Sequence, residues 1–310
     1  MGLMRSRNLR HLNPFSALVL TPKHMKILVL RLTIAWVLLS TGCKQETGTA
    51  ASARVQILPV TGADPALMNH QRTPFVLIPA GQYQPFFGRQ NTRISVPSFA
   101  IDETPVTNQQ FLRFVLRHPE WQRGQIVALR ADDGYLRSWA SPTETGSHAP
   151  HDAPVTEVSW FAAKAYCTAV GGRLPTVDEW EFVATQDQRS GNPSHAAQDQ
   201  QGWLNWFSAP TPAVWPAVRQ QKPNTRGVYD LRGLVWEWVY DFNTAMTTGE
   251  SRKGAQIDTG LYCSGGAQGS SNLKDYPAFM RFAYRGSLKA RYTVRNLGFR
   301  CVYDLPKESL

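Results

Sequence analysis

The rhythm of apolar and polar positions changes several times along the chain. Residues 27–39 (ILVLRLTIAWVLL) are apolar apart from Arg31 and Thr33, and the run stops at Ser40-Thr41-Gly42-Cys43. It is too short for a stop-transfer helix. Residues 44–72 mix Gly, Thr, Ala, Ser, Gln and Pro without period and read as a flexible tether. Residues 75–79 (FVLIP), closed by Ala80-Gly81, predict a strand, and residues 94–101 predict another. Three helices are predicted from their caps. Thr107-Asn108-Gln109-Gln110 is a capping box ahead of Phe111, Phe114 and Val115 on one face. Ser159 opens a second helix bearing Trp160, Ala163 and Cys167, stopped by Gly171-Gly172. Thr176-Val177-Asp178-Glu179 opens a third, burying Trp180 and Val183. Past about residue 190 the helical signal fades into predicted loops. Trp203, Trp206, Trp215, Trp236 and Trp238 supply the aromatic mass to order them. No repeat of 20–50 residues is visible, and nothing in the pattern suggests a second compact domain.

Composition narrows the class. A chain of 310 residues, 42% hydrophobic and 18% charged, has the material for a real core. Beyond residue 43 no apolar run is long enough for a polytopic membrane protein. The formal charge of +10 owes much to Arg5, Arg7, Arg10, Lys23, Lys26 and Arg31, in a leader without acids. The remaining basic residues are scattered, so no nucleic-acid partner is expected. Met25-Lys26, the apolar run and the small residues before Cys43 have the layout of a signal peptide over 1–43, with Met25 an alternative start. The ending resembles a bacterial lipobox, with Cys43 the lipidation candidate, although Ser40 stands where that motif prefers Leu or Val. A plain signal peptide or an uncleaved anchor is the competing reading. The expectation is an exported, periplasmic monomer held to a membrane by an N-terminal lipid; Lys44 lacks the Asp associated with inner-membrane retention.

Four segments in order, FVLIPAG (75–81), PVTEVSWFAAKAYCTAVGGRLPTVDEWEFVA (154–184), GVYDLRGLVWEW (227–238) and NLGFRC (296–301), resemble the formylglycine-generating enzyme, or sulfatase-modifying factor, family. The resemblance covers about residues 73–304, leaving 305–310 as a tail, and implies a single α/β domain of irregular, loop-rich architecture, related to C-type-lectin-like folds and low in regular secondary structure. It also implies a disulfide between Cys167 and Cys301, which the export reading favours; two buried thiols are the alternative.

Enzymes of that family oxidise a substrate cysteine to formylglycine with oxygen and copper, using two cysteines downstream of a Gly-Gly-Ser. Here Gly265-Gly266 is followed by Ala267, Arg285 falls on a family arginine, and no cysteine lies between Gly266 and Arg285. The thiolate slots fall on residues such as Ser270, Asn272, Asp275 and Pro277, none of which suits copper(I). Gly265, Gly266 and Arg285 remain candidates for substrate binding, and Cys263, Ser270 and Arg285 for catalysis. Cys263 is either a ligand or redox thiol or a small buried residue.

His148 and His151, in a Pro-rich loop, are candidates for the iron used by another branch of the superfamily, or simply a solvated loop. Family members also bind calcium through an Asn in Gly-Asn-x-Trp-Glu-Trp. Leu234 stands at that Asn, leaving Asp230, Asp241 and Asn243 as nearby oxygen donors. Copper and calcium are therefore the cofactors to test, without intact family ligands for either. Glu237, between tryptophans, suits a core carboxylate better than an acid catalyst. Arg281, Arg285, Lys289, Arg291, Arg295 and Arg300 form either a cationic lip or strand-edge charges with buried salt bridges. Three functions compete: an accessory or maturation factor acting on a periplasmic protein or metabolite, a peptide- or glycan-binding module, and a metal-dependent oxidase rebuilt around Cys263.

Overall fold

A computed structural model describes residues 57–58, 60–70, 73–86, 93–185, 193–243 and 276–306, without side chains at 69–70 and 193–200. The leader with Cys43, and Cys263, Gly265, Gly266 and Ser270, lie outside the described residues. Residues 56–310 form one compact unit.

Its centre is an antiparallel sheet in which β4 (Phe99–Asp102) lies between β1 (Phe75–Ile78) and β7 (Val302–Asp304). Phe75 faces Asp102, and Ile101 faces Val302. Every residue of β4 is buried, as expected for a middle strand covered on both faces. β2 (Gly81–Tyr83) pairs with β3 (Ile94–Val96), and β5 (Trp236–Glu237) runs parallel to β6 (Leu297–Gly298). The strands are short and the connections long, so the fold is a mixed, irregular one of modest regular secondary structure.

Around the sheet lie α1 (Pro65–His70), α2 (Asn108–Arg117), α3 (Trp160–Ala169), α4 (Val177–Thr185), α5 (Pro193–Ser208) and α6 (Tyr276–Ser287). The caps read from sequence start their helices. Thr107 accepts from the Gln110 N–H while the Gln110 side chain accepts from the Thr107 N–H. The Ser159 hydroxyl accepts from the Ala162 N–H at 3.2 Å. Glu179 and Thr176 exchange a reciprocal pair at the start of α4. Phe111, Phe114, Tyr166 and Phe299 meet at ring distances of 5.4–6.1 Å and weld α2, α3 and the C-terminal segment into one core.

The end of the chain locks this core. Cys167 of α3 is joined to Cys301 across 134 residues of sequence. Asp102 accepts from the Cys301 N–H at 2.9 Å and from the Tyr303 hydroxyl at 3.0 Å. Gly172 lets α3 end against β7. A Cβ there would lie 2.6 Å from the Val302 carbonyl oxygen and 2.8 Å from the Tyr303 ring.

Two expectations need correction. The packed part begins before residue 73: α1 carries Leu67, 1% exposed, and Asp64 accepts from the Arg117 guanidinium at 2.6 Å. That side chain and ion pair, with backbone hydrogen bonds from Asp64 to the Ala169 carbonyl and from Leu58 to the Asp304 carbonyl, dock a stretch whose composition reads as tether. Beyond residue 190 two helices replace predicted loops. α5 begins with a polar half and contains Gly202, while α6 opens on Tyr-Pro and, although amphipathic, turns its arginines Arg281 and Arg285 into the core, the reverse of the usual polar-out arrangement.

Candidate functional site

Two buried ion-pair sites organise the residues singled out from sequence. In the first, NLGFRC delivers Arg300, 0% exposed, to Glu237 of β5, with contacts of 2.7 and 2.8 Å. The guanidinium also donates to the carbonyls of Asp102, Glu103 and Tyr229. The Trp180 indole N–H donates at 2.7 Å to Glu237 Oε2, the oxygen that also accepts from Arg300 Nε. Glu237 is thus a core carboxylate with both oxygens engaged, in agreement with the reading made from its flanking tryptophans.

The second site joins α4, α6 and β2. Glu181, 2% exposed, accepts from Arg281 at 2.7 Å and from Arg285 at 2.6 Å, so two guanidiniums share one carboxylate. Spaced i, i+4 on α6, the two arginines fall on one helix face. Arg285 lies 4.9 Å from the Trp180 ring centroid, and Arg281 lies 4.8 Å from that of Trp203. Burial pushes the Glu181 carboxyl up, but the guanidinium charges and hydrogen bonds outweigh it and hold the group below its usual range. Nearby, the Tyr83 hydroxyl donates to Asp178. Burial raises the Asp178 carboxyl, opposed by that hydrogen bond and reinforced by Asp241, Glu179 and Glu181. Burial, followed by the Asp178 contact, likewise raises the Tyr83 hydroxyl well above its ordinary value.

The cationic lip expected over 278–301 divides in two. Arg281, Arg285 and Arg300 are buried in ion pairs, whereas Lys289, Arg291 and Arg295 are exposed. Arg285, 4% exposed, therefore braces α6 against α4. Glu181, Tyr83 and Asp178 were missed as members of this cluster. The signal available was the i, i+4 spacing of Arg281 and Arg285, legible only once the segment is recognised as a helix.

The metal candidates are placed apart. His148 and His151 are both exposed on their loop. Asp230, with φ 56°, is buried and accepts from the backbone N–H groups of Arg219 and Gln221, and burial raises its carboxyl. Asp241 accepts from the Val177 N–H at 2.7 Å, at the start of α4. Leu234, at the family's calcium Asn, is buried and apolar. Among the described residues no group of three His, Cys, Asp or Glu side chains is arranged to hold a metal ion. These described donors do not match a copper(I) thiolate pair or an oxygen-rich calcium loop.

The short sheets, capped helices and C-terminal lock place the chain in a known class. The family profile for the sulfatase-modifying factor enzyme 1-like domain matches residues 63–305. The chain belongs to that family. It is similar to inactive C-alpha-formylglycine-generating enzyme 2 of Bos taurus, 29% identical, with 76% of this chain and 89% of that protein covered. It is also similar to the formylglycine-generating enzyme of Streptomyces coelicolor, 29% identical over 66% of this chain and 78% of that protein. A third relative is the serine/threonine-protein kinase pkn1 of Chlamydia pneumoniae, 30% identical over 69% of this chain; the match spans only 34% of that longer protein. Among solved structures, PvdO from Pseudomonas aeruginosa aligns over 76% of this chain and 96% of its own, at TM-score 0.43 and 18% identity.

Proposed function

We propose that this protein is an exported, lipid-anchored member of its family that serves as an accessory or maturation factor for a periplasmic protein or metabolite, and does not convert cysteine to formylglycine. The observation that carries the reading is the cysteine-free stretch between Gly266 and Arg285. Two thiolates are what a copper(I) centre requires there, and Ser270, Asn272 or Asp275 cannot replace them. The relative named inactive in Bos taurus supports the idea that this family keeps its scaffold without that activity. Glu181, Arg281 and Arg285 then act as positioning residues. They fix α6, which starts directly after the segment holding Gly265, Gly266 and Ser270 and so sets where that segment ends.

The test is a cysteine-containing substrate peptide incubated with the protein, oxygen and copper(I), read by mass. An anaerobic copper(I) competition titration of wild type and Cys263→Ser runs beside it. No conversion and no tight binding is the expected result. Conversion, or stoichiometric binding lost in Cys263→Ser, overturns the proposal in favour of an oxidase rebuilt around Cys263. Metabolic labelling with a fatty-acid analogue, lost in Cys43→Ala, checks the anchor.

A further inference from the structure

A cavity of about 310 Å³ lies where residues 219–233 fold over the last turn of α4, and neither ion-pair site uses it. Val228 and Leu231 give it apolar walls, and Gln221, Lys222, Asn224 and Arg232 give it polar ones. The walls are held firmly. Arg219 and Asp230 both take a left-handed backbone, with φ 66° and 56°, a conformation that costs free energy in a residue other than glycine. Contacts fix both residues there. The Arg219 N–H donates to the Asp230 carboxylate, and the Arg219 guanidinium reaches Glu103 and lies 5.0 Å from the Tyr229 ring centroid. Gly233, with φ 92°, keeps room for the Gln221 side chain: a Cβ there would lie 2.5 Å from Gln221 Nε2.

Hydrogen bonding around the cavity uses up the acceptors and leaves donors over. Asp230 is the one carboxyl in the lining, and each of its oxygens accepts from a backbone N–H, of Arg219 and of Gln221, which offsets its charge. Asn224 Oδ1 accepts from the N–H groups of Arg226 and Val228, and its Nδ2 donates to the Val183 carbonyl. Arg232 donates to the Ala184 carbonyl at 2.9 Å. These two carbonyls at the C-terminal end of α4, which would otherwise repel an anion, are thus both engaged. Lys222, by contrast, is exposed and has no ion pair or hydrogen bond among the described residues. The Gln221 side-chain amide next to it has no hydrogen-bond partner there either. The group that completes this lining is negatively charged and rich in acceptors.

We propose that the 219–233 cavity binds a small organic anion, whose carboxylate or phosphate group lies against Lys222 and the Gln221 amide while a short apolar body packs on Val228 and Leu231. Its volume falls at the small end of the roughly 300–1,000 Å³ usual for ligand sites, which suits a molecule of metabolite size. Arg232, in the same wall, adds a second positive charge. The cavity shares no residue with the Glu181 cluster, so the inference stands whether or not the accessory reading holds.

The full-length protein is titrated calorimetrically with glutarate, with glutaramide as its neutral counterpart, and with inorganic phosphate. Saturable binding of glutarate or phosphate, and none of glutaramide, is the expected result, and the tighter of the two anions identifies the headgroup. Lys222→Gln is expected to weaken that binding about ten-fold, because it removes the charge from one hydrogen-bond donor. Lys289→Gln, which removes an exposed charge elsewhere, should leave it unchanged. Both side chains are exposed, so both variants should melt at the parent temperature. Binding of neither anion overturns the proposal, and so does glutaramide binding as tightly as glutarate. Equal weakening by Lys222→Gln and Lys289→Gln overturns it too, since that result marks attraction to the overall positive charge rather than to this cavity.

Discussion

Arg300 and Glu237 form a one-to-one pair, while Arg281 and Arg285 share the single carboxylate of Glu181. Both sites are buried, yet their wiring differs. At Arg300 every named contact leads to the ends of β4, β5 and the 229 turn, so the pair ties the sheet to the C-terminal segment. At Glu181 the contacts join two helices, and removing one guanidinium leaves the carboxylate with the other. The first site stands or falls as a unit, and the second has a reserve.

The comparison predicts a graded set of losses. Arg300→Met strands the Glu237 carboxylate and should cost the most, about 3–5 kcal/mol in chemical denaturation. A loss below that of the shared site would break the comparison. Cys167→Ser together with Cys301→Ser should cost about 2–5 kcal/mol by removing a constraint on the unfolded chain. Its effect should couple to Arg300, the neighbour of Cys301, in a double-mutant cycle, and should add to a change at Arg285. Arg285→Met should cost less, about 1–3 kcal/mol, because Arg281 keeps Glu181 compensated.

The smallest effect sought is a pH dependence. Because the native Glu181 carboxyl titrates below its usual range, its contribution is complete above the unfolded value near 4 and is lost as pH falls through the depressed native one. Asp178 has the opposite sign. Its raised native value favours the protonated form, so its contribution is present below the unfolded value and lost as pH rises through the native one. Acid titration of stability should therefore flatten in Glu181→Gln, and the opposing slope should disappear in Asp178→Asn.

The first half of the domain was largely legible because it announces itself locally. Thr107, Ser159 and Thr176 are caps whose hydrogen bonds span only a few residues, and the apolar run over 75–78 is a nearest-neighbour signal. The 94–101 run, read as one strand, instead divides at Pro97-Ser98 into β3 and β4, which pair in different sheets. The second half was not. α5 and α6 owe their burial to tertiary partners such as Trp203 on Arg281 and Glu181 on Arg285, separated by long stretches of sequence. On α6 those partners bury the polar side of the helix, which periodicity alone would place toward solvent. The φ of 58° at Glu157 was equally silent, since nothing in a glutamate signals a left-handed backbone. At the candidate site the family motifs located Arg285 and Glu237; the tryptophans beside Glu237 already pointed to a core carboxylate, whereas the burial of Arg285 against Glu181 became visible only in the fold.

The position of β7 has a consequence for how the molecule is made. Its partners Asp102, Cys167 and Arg173 are all present long before residues 296–304 are synthesised, and until then the middle strand of the sheet has an open edge. A nascent or threading chain can assemble its early helices but cannot close. A stop codon or a protease cut just before residue 300 would remove Arg300, Cys301 and the third strand together. The last few residues of the domain thus act as a quality-control seal, and a truncated copy is expected to be cleared rather than to persist as a weaker version of the protein.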